Sequence, residues 1–586
     1  MKRLFGAIFI SFLYLNAYGA DRIYRVMGLS GDVLDNTQKR LDAYIKQLPQ
    51  PLNQHSLMTF RKNAPENILK AIQPYGYYKP KITSGLSRET FKPQLKSWQT
   101  WIKKQHSFKQ IIFYVIPGPQ MKVTSLKIQI SGPGKSNPNI LSVVKNAPLK
   151  QGEPLLIENY NETKQQLFDA AEHAGYLKAV MSQSEVTIDL KKYTANVQLH
   201  LNTGIRYYFG KVTYSPILLS PQLLNRYIPF KAGAPYSTDE ILHFNELLSG
   251  SGYFKRVTVN PDLNSNQFVP IDVHLVPRAR RSYSFGLGFG TDTGPRGKAG
   301  ISFIPVNAKG DKFYAFAQGS FKQNQLQTQY VIPGAQPDVD QTSLGARLFN
   351  LDYTSGHSSA LQASIARIHN NKRLQRTLAV NALYEKYTYT DQPRESSFLF
   401  YPNASFSWIK TEDPLFSERG YNLNLKGMAG SKAVLSKTNF AQVAVDLKAA
   451  TKFKPTRTRF YLHASQGYTA IKDINDLPLS LSFLLGGTEN LKAYGFNSIG
   501  PGKNMTFASA EIQQETFKNW YLIGFHDIGN AYNNTPINFL RDVGAGLMWV
   551  SPVGPIKAGV AQAVDKNYKR IPNSKLKFFL KMGPDL

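Results

Sequence analysis

Two rhythms of apolar residues divide this chain. Up to about residue 280, apolar positions recur at helical spacing in short stretches that stop at a glycine. From about Arg281 to the C-terminus they alternate with polar positions at period two. The helical stretches repeat. Ile68-Leu69-Lys70-Ala71-Ile72 runs into Tyr75-Gly76-Tyr77-Tyr78, Leu167-Phe168-Asp169-Ala170-Ala171 into Ala174-Gly175-Tyr176-Leu177, and Leu247-Leu248 into Ser251-Gly252-Tyr253-Phe254. In each copy the stripe ends at a glycine suited to the left-handed position that closes a helix, and an aromatic residue opens a strand. A shared phrase, Leu149-Lys150-Gln151-Gly152-Glu153-Pro154 and Phe230-Lys231-Ala232-Gly233-Ala234-Pro235, marks a turn before the helix in the second and third copies, with a loose counterpart near Pro49 to Pro51 in the first. Alternating residues at 111–115, 195–199 and 271–275 close each copy as a strand. The predicted unit is strand, two helices, two strands. Glycines at 76, 175 and 252 are too far apart for a tight solenoid, so the pattern predicts three small α+β domains over 21–120, 121–206 and 207–280.

In the second half, Leu423, Leu425 and Gly427 face one way and Asn422, Asn424 and Lys426 the other. Val443, Val445 and Leu447 oppose Ala444, Asp446 and Lys448, and Phe460, Leu462 and Ala464 oppose Tyr461, His463 and Ser465. Near the end, Leu576, Phe578 and Leu580 oppose Lys575, Lys577 and Lys581. A soluble sandwich would alternate too, but it has no need of a last strand that runs apolar almost to the terminus. A lipid-embedded barrel does, because no edge can stay unpaired in hydrocarbon. At about 19 residues per strand and connection, residues 281–586 make a transmembrane antiparallel β-barrel of roughly 16 strands.

The start of the chain sets the compartment. Met1, Lys2 and Arg3 precede an apolar run from Leu4 to Leu15 and small residues at Ala17, Gly19 and Ala20, which reads as a signal peptide over 1–20 cleaved after Gly19 or Ala20. The run is too short for a membrane anchor, which needs about 20 apolar residues. Charged and amide residues interrupt every later apolar stretch, so any span downstream is made of strands. The chain has no cysteine, which excludes a disulfide framework and thiolate metal sites. A net charge of +31 would suggest nucleic acid in a cytoplasmic protein; export redirects it to acidic lipid headgroups, lipopolysaccharide phosphates or an acidic partner.

Enzymatic chemistry finds no footing in the sequence. Gly28-Leu29-Ser30-Gly31-Asp32 and Gly356-His357-Ser358-Ser359 both miss the second glycine of a nucleophile turn. No His-Glu-x-x-His helix and no phosphate-binding loop occurs, and His106, His173 and His357 stand isolated. The expectation is a protein that is not an enzyme and takes no cofactor or metal.

Signal peptide, three repeats and barrel together resemble the POTRA-containing outer-membrane assembly and translocation superfamily, and the three repeats are similar to its TamA-type members, the outer-membrane subunits of the translocation and assembly module. Ser282-Tyr283-Ser284-Phe285-Gly286-Leu287-Gly288-Phe289 with Thr291-Asp292-Thr293-Gly294-Pro295-Arg296 resembles the first strand and turn of those members. Asp413-Pro414-Leu415-Phe416-Ser417-Glu418-Arg419-Gly420 resembles a mid-barrel turn, and Gly544-Ala545-Gly546-Leu547 with Ser551-Pro552-Val553-Gly554-Pro555-Ile556 the penultimate strand pair. In Gly486-Gly487-Thr488-Glu489-Asn490-Leu491-Lys492-Ala493-Tyr494-Gly495-Phe496 the superfamily normally carries arginine, glycine and an aromatic residue, on a sixth extracellular loop folded into the lumen. This chain has Lys492, Ala493 and Tyr494 there. Lysine brings a compact charge where arginine forks two hydrogen bonds onto a carboxylate, which implies a looser anchor.

The resemblance implies that Glu511 and Asp527 are the loop's carboxylate partners, with Lys492 paired to one or both. It also implies a weak seam between a first strand at Ser284, Phe285, Gly286 and Leu287 and a last strand at Phe578, Phe579 and Leu580. By the same resemblance the protein sits in the outer membrane with its repeats in the periplasm. It inserts other barrel proteins and autotransporters by β-augmentation at that seam, with a large TamB-type partner anchored in the inner membrane and without cofactors or nucleic acid. Two alternatives stay open: a two-partner-secretion transporter, which usually carries two repeats behind a plug helix, and the main barrel-assembly subunit, which carries five.

Overall fold

The computed structural model describes residues 22–49, 52–91, 108–264, 267–371, 373–413, 415–552, 554–565, 576–583 and 586. The signal peptide read at 1–20 lies outside the described residues, as do Pro51, Pro414, Val553 and Lys575 of the phrases above.

The first repeat comprises β1 (Tyr24–Met27), α1 (Gly31–Gln47), α2 (Gln54–Ile72), β2 (Lys81–Phe91) and β3 (Phe108–Ile116), in sheet order β1-β3-β2. The second comprises β4 (Lys122–Ser131), α3 (Pro138–Lys145), α4 (Ile157–His173), β5 (Val180–Asp189) and β6 (Thr194–Asn202), in order β4-β6-β5. The third comprises β7 (Tyr208–Tyr214), α5 (Pro221–Asn225), α6 (Thr238–Gly250), β8 (Phe254–Pro261) and β9 (Phe268–Pro277), in order β7-β9-β8. In the first two, the opening strand pairs in parallel with the closing one, as a helical crossover requires. The apolar helix stripes cover the sheet: Phe60, Ile68 and Ile72 lie with Ile111, Phe113 and Val115, and Leu167 and Ala171 with Val197 and Leu199. Helix starts follow local chemistry. Asn53 accepts from the Ser56 amide at 2.8 Å, and Asn137 caps a helix opened by Pro138.

The recurring phrases have structural jobs. Gly152 donates to Val123 O at 2.7 Å while the Val123 amide donates to Glu153 O; Gly233 and Ala234 make the matching pair with Phe209, so each phrase lies as a short ribbon beside its domain's first strand. The glycine after each main helix marks a joint to the next module. Gly76 O accepts from the Met121 amide at 2.9 Å, and Gly175 O from the Tyr207 amide at 2.7 Å. At the third repeat the next module is the barrel: burial holds the Tyr253 phenol above its usual pKa, and its hydroxyl donates to Gly310 O at 2.6 Å while Lys312 Nζ donates to Ser251 O at 2.7 Å.

Gly175 has φ +90, and a Cβ there would sit 2.9 Å from Tyr207 O. Gly175→Ala therefore strains the backbone and pushes the joint apart. The expected outcome is about tenfold faster hydrogen exchange at the Tyr207 amide in the full chain.

The barrel strands are β10 (Arg281–Gly290), β11 (Gly294–Phe303), β12 (Lys312–Ser320), β13 (Gln323–Pro333), β14 (Asp340–Tyr353), β15 (Gly356–Asn370), β16 (Leu374–Tyr389), β17 (Glu395–Thr411), β18 (Gly420–Gly430), β19 (Phe440–Phe453) and β20 (Thr458–Ile471). A long loop holding β21 (Phe483–Leu485) and β22 (Ile499–Gly502) leads to β23 (Asn504–Phe517), β24 (Trp520–Tyr532), β25 (Leu540–Ser551), β26 (Gly554–Ala563) and β27 (Lys577–Met582). Sixteen of these strands form one antiparallel sheet running from β10 to β27, the number expected from the period-two segment. Leu326, Leu344, Leu348, Leu361, Ile365 and Leu378 are exposed on the outer wall, which suits lipid rather than water. Trp408, Tyr421, Phe453, Phe517, Trp520 and Trp549 gather at the strand ends on the side where β10 begins, with the Trp520 and Trp549 rings stacked 5.8 Å apart. Such a girdle marks a membrane–water boundary, where amphipathic rings are most stable.

Candidate functional site

Period two decides which side chains reach the lumen. On β23, Ser509, Glu511 and Gln513 are buried while Ile512 faces out. On β24, Tyr521, Ile523, Phe525 and Asp527 are buried while Leu522 faces out. Register then sets neighbours: Ser509 lies opposite Asp527, and Asp527 opposite Asp542 of β25. Two buried carboxylates thus stand side by side on adjacent strands, an arrangement that is unfavourable unless cations or donors reach them.

The loop between β20 and β23 supplies what they need. Lys492 Nζ lies 2.9 and 3.2 Å from the two Asp527 carboxylate oxygens and 3.5 Å from Glu511 Oε1, and it sits 4.4 Å from the centroid of the Phe525 ring. The Ala493 amide donates to Asp542 Oδ2 at 2.9 Å. Tyr494 is buried, with its hydroxyl 3.3 Å from Arg541 O. Glu511 also accepts from Lys557 Nζ at 2.7 Å and from Gln513 Nε2 at 2.8 Å. Leu491, Ala493 and Tyr494 pack with Phe507, Phe525, Met548 and Phe579, so the tip carries an apolar anchor beside its charge. The structure therefore brings Lys492, Ala493, Tyr494, Glu511 and Asp527 together in one cluster.

Asp542 and Lys557 complete that cluster and were missed in the sequence. Their signal was parity. Both fall on the inward set of their strands, where a charge needs a partner.

The stem of the loop is fastened to the far wall. Glu385 of β16 accepts from the Ser480 amide at 3.1 Å and from the Ser480 hydroxyl. Tyr387 and Tyr389 donate to Asn475 O at 2.9 Å and Leu477 O at 2.7 Å. The mid-barrel turn after β17 has its own anchor: Arg459, fully buried, donates to Ser417 O and Gln513 Oε1 and stacks 4.6 Å from the Phe416 ring.

The seam residues lie where the sheet ends. Among the described residues no ladder joins β10 to β27; the Leu580 amide reaches Thr291 Oγ1 at 3.2 Å instead. Every residue of β10 from Arg281 to Phe289 is exposed, Phe285 at 83% and Leu287 at 96%. Ser284 and Gly286 share that exposure. β27 has six residues against ten in β26, with Phe578 turned out and Phe579 turned in against Phe525.

A lipid-facing barrel with an inward-anchored loop, an unzipped seam and small α+β domains ahead of it defines a class, the outer-membrane insertases and transporters with periplasmic POTRA domains. Residues 306–583 match the Omp85 superfamily domain, and residues 207–278 match a POTRA model described as a surface antigen variable number repeat. The chain thus carries an Omp85 superfamily domain behind its POTRA repeats. Its first periplasmic domain, over 23–99, matches POTRA domain TamA domain 1.

Among solved structures, BamA from Haemophilus ducreyi lacking POTRA domains 1–3 superposes with a TM-score of 0.68 at 16% identity, covering 79% of this chain and 99% of that one, and so shares the fold. CdiB from Acinetobacter baumannii matches at a TM-score of 0.45 and 12% identity, covering 94% and 99%. CdiB from Escherichia coli matches at 0.44 and 12%, covering 80% and 91%. The protein is an outer-membrane β-barrel with its POTRA domains in the periplasm.

Proposed function

We propose that this protein inserts other β-barrel proteins, autotransporters among them, into the outer membrane by offering the free edge of β10 to an incoming strand, in concert with a TamB-type partner anchored in the inner membrane. The observation that carries this is the exposed β10 edge without a ladder to β27. Unpaired backbone groups in a bilayer are costly, and a client strand that pairs with them removes the penalty for both chains. The TamA-type first domain supports the choice of partner.

No bond is made or broken in such a step. Backbone pairing, apolar burial and loop anchoring do the work, and the protein acts without catalytic residues, cofactor or metal.

Two measurements check the proposal. A photo-crosslinking residue in place of Phe285 should capture the C-terminal strand of a client autotransporter β-domain during insertion into liposomes, and crosslinks that fall evenly around the barrel would refute seam entry. Affinity purification of the full chain from native membranes should recover a very large inner-membrane-anchored protein. Recovery of a single exported adhesin in its place would favour two-partner secretion.

A further inference from the structure

Among the described residues β10 and β27 meet without a ladder, so other contacts hold their separation. Two residues in the turn between β10 and β11 make those contacts. Thr291 Oγ1 accepts from the Leu580 amide of β27 at 3.2 Å. Asp292 Oδ2 accepts from both the amide and the hydroxyl of Thr488 at 2.7 Å each, and Asp292 Oδ1 lies 3.9 Å from Lys577 Nζ of β27. The loop tip grips β27 as well: Lys577 Nζ donates to Tyr494 O at 2.6 Å and Lys581 Nζ to Glu489 Oε2 at 2.8 Å.

Gly487 gives independent support. It has φ +109, and a Cβ there would come within 2.8 Å of Asp292 Oδ2 and 3.0 Å of the Phe496 ring. The tip is bare of side chain at the place where the Asp292 carboxylate seats. Asp292 is itself nearly buried, so its charge is committed to this junction.

We infer that Asp292 is a positioning residue of the seam: it fastens the β10–β11 hairpin to the tip of the lumen loop, whose other side is held by Lys577 and Lys581 of β27. The resting width of the seam is thus set by side chains reaching across the lumen, not by strand pairing. This inference rests on the proposal that clients enter at the seam and names what keeps that entrance shut. A client strand that pairs along β10 has few bonds to displace, and the loop is the element that must yield.

The test uses the full chain, which has no native cysteine to confuse labelling. Spin labels at Leu287→Cys and Phe578→Cys report the distance between β10 and β27 by double electron–electron resonance, in liposomes of phosphatidylethanolamine and phosphatidylglycerol without clients. Asp292→Ala is expected to raise the wide-seam population about fivefold, the effect of losing charge-assisted hydrogen bonds. Asp292→Asn keeps a carbonyl that accepts both Thr488 bonds but loses the charge facing Lys577, and should widen the seam less than Asp292→Ala. Thr488→Val removes the hydroxyl donor, widens the seam to a smaller degree, and decides the matter if Asp292→Ala does not fold.

Unchanged distances in these variants, with the heat-modifiable folded band intact, overturn the inference. Client insertion is scored separately with a disulfide across the seam. A wide seam in Asp292→Ala together with insertion that ignores that disulfide would remove the functional proposal and leave the role of Asp292 standing. Insertion blocked by the disulfide, with distances unmoved by the variants, would do the reverse.

Discussion

Lys492→Met is expected to destabilise the folded barrel by about 3–5 kcal/mol, the penalty for removing one partner of a buried ion pair. The lysine ammonium is the cation between Asp527 and Glu511, and the Asp527–Asp542 pair stands directly opposed on neighbouring strands. Without it, Glu511 still has Lys557, while Asp527 is left with a serine hydroxyl and an unfavourable neighbour. The apolar contacts of Leu491 and Tyr494 remain, so the loop loosens before the barrel opens. A fall in the urea midpoint of the liposome-embedded protein, with the folded band softening at lower temperature, checks this. Lys492→Met combined with Asp527→Asn should recover most of the loss, because Asp527 is then no longer an unpaired charge beside Asp542. Exchanging the charges, Lys492→Asp with Asp527→Lys, should recover a part. Full loss in each single variant with no recovery in either double would show that the two residues do not act as a pair.

The second large effect concerns the seam. A disulfide through Thr291→Cys and Leu580→Cys, sites already joined by a 3.2 Å contact, should lower the rate of client insertion into liposomes about tenfold or more when oxidised and restore it on reduction. A covalent staple removes the single motion that augmentation at β10 requires. It leaves the periplasmic domains and the lumen cluster untouched, so a stapled protein should still fold and bind its partner. Insertion at full rate with the staple closed would take the seam out of the mechanism.

The lumen cluster also bears on the substitution of Lys492 and Ala493 for the arginine and glycine usual in the superfamily. A lysine ammonium cannot fork, yet here it touches both oxygens of Asp527, approaches Glu511 and caps the Phe525 ring. The Ala493 amide reaches the neighbouring Asp542 carboxylate, a backbone contact that does not depend on the side chain at 492. Lys492→Arg is accordingly expected to fold, with a urea midpoint close to the parent's, since a guanidinium can address Asp527 and Glu511 together. A large fall in the midpoint would mean that the cavity is shaped for lysine.

Much of this molecule can be read from residue order because its determinants are periodic and local. A stripe at helical spacing that halts at Gly76, Gly175 or Gly252 defines a domain three times over, since only a residue tolerant of positive φ ends those helices. Strict alternation after Arg281 defines strands, their inward set and roughly their number, because side chains on a strand have no other choice of face. That parity placed Glu511 on the lumen side.

What residue order left open depends on register and on contacts between distant segments. Asp542 becomes a partner of the loop only because β24 and β25 align it with Asp527, and one residue of slip would turn it to lipid. Thr291 and Asp292 look like an ordinary turn in sequence; they become the hinge side of the seam because a loop nearly two hundred residues away folds back onto them. Alternation likewise could not reveal that β10 and β27 stay unzipped. Both strands carry the pattern of their neighbours, and whether a sheet closes is settled by strand length and by the shape of the whole barrel.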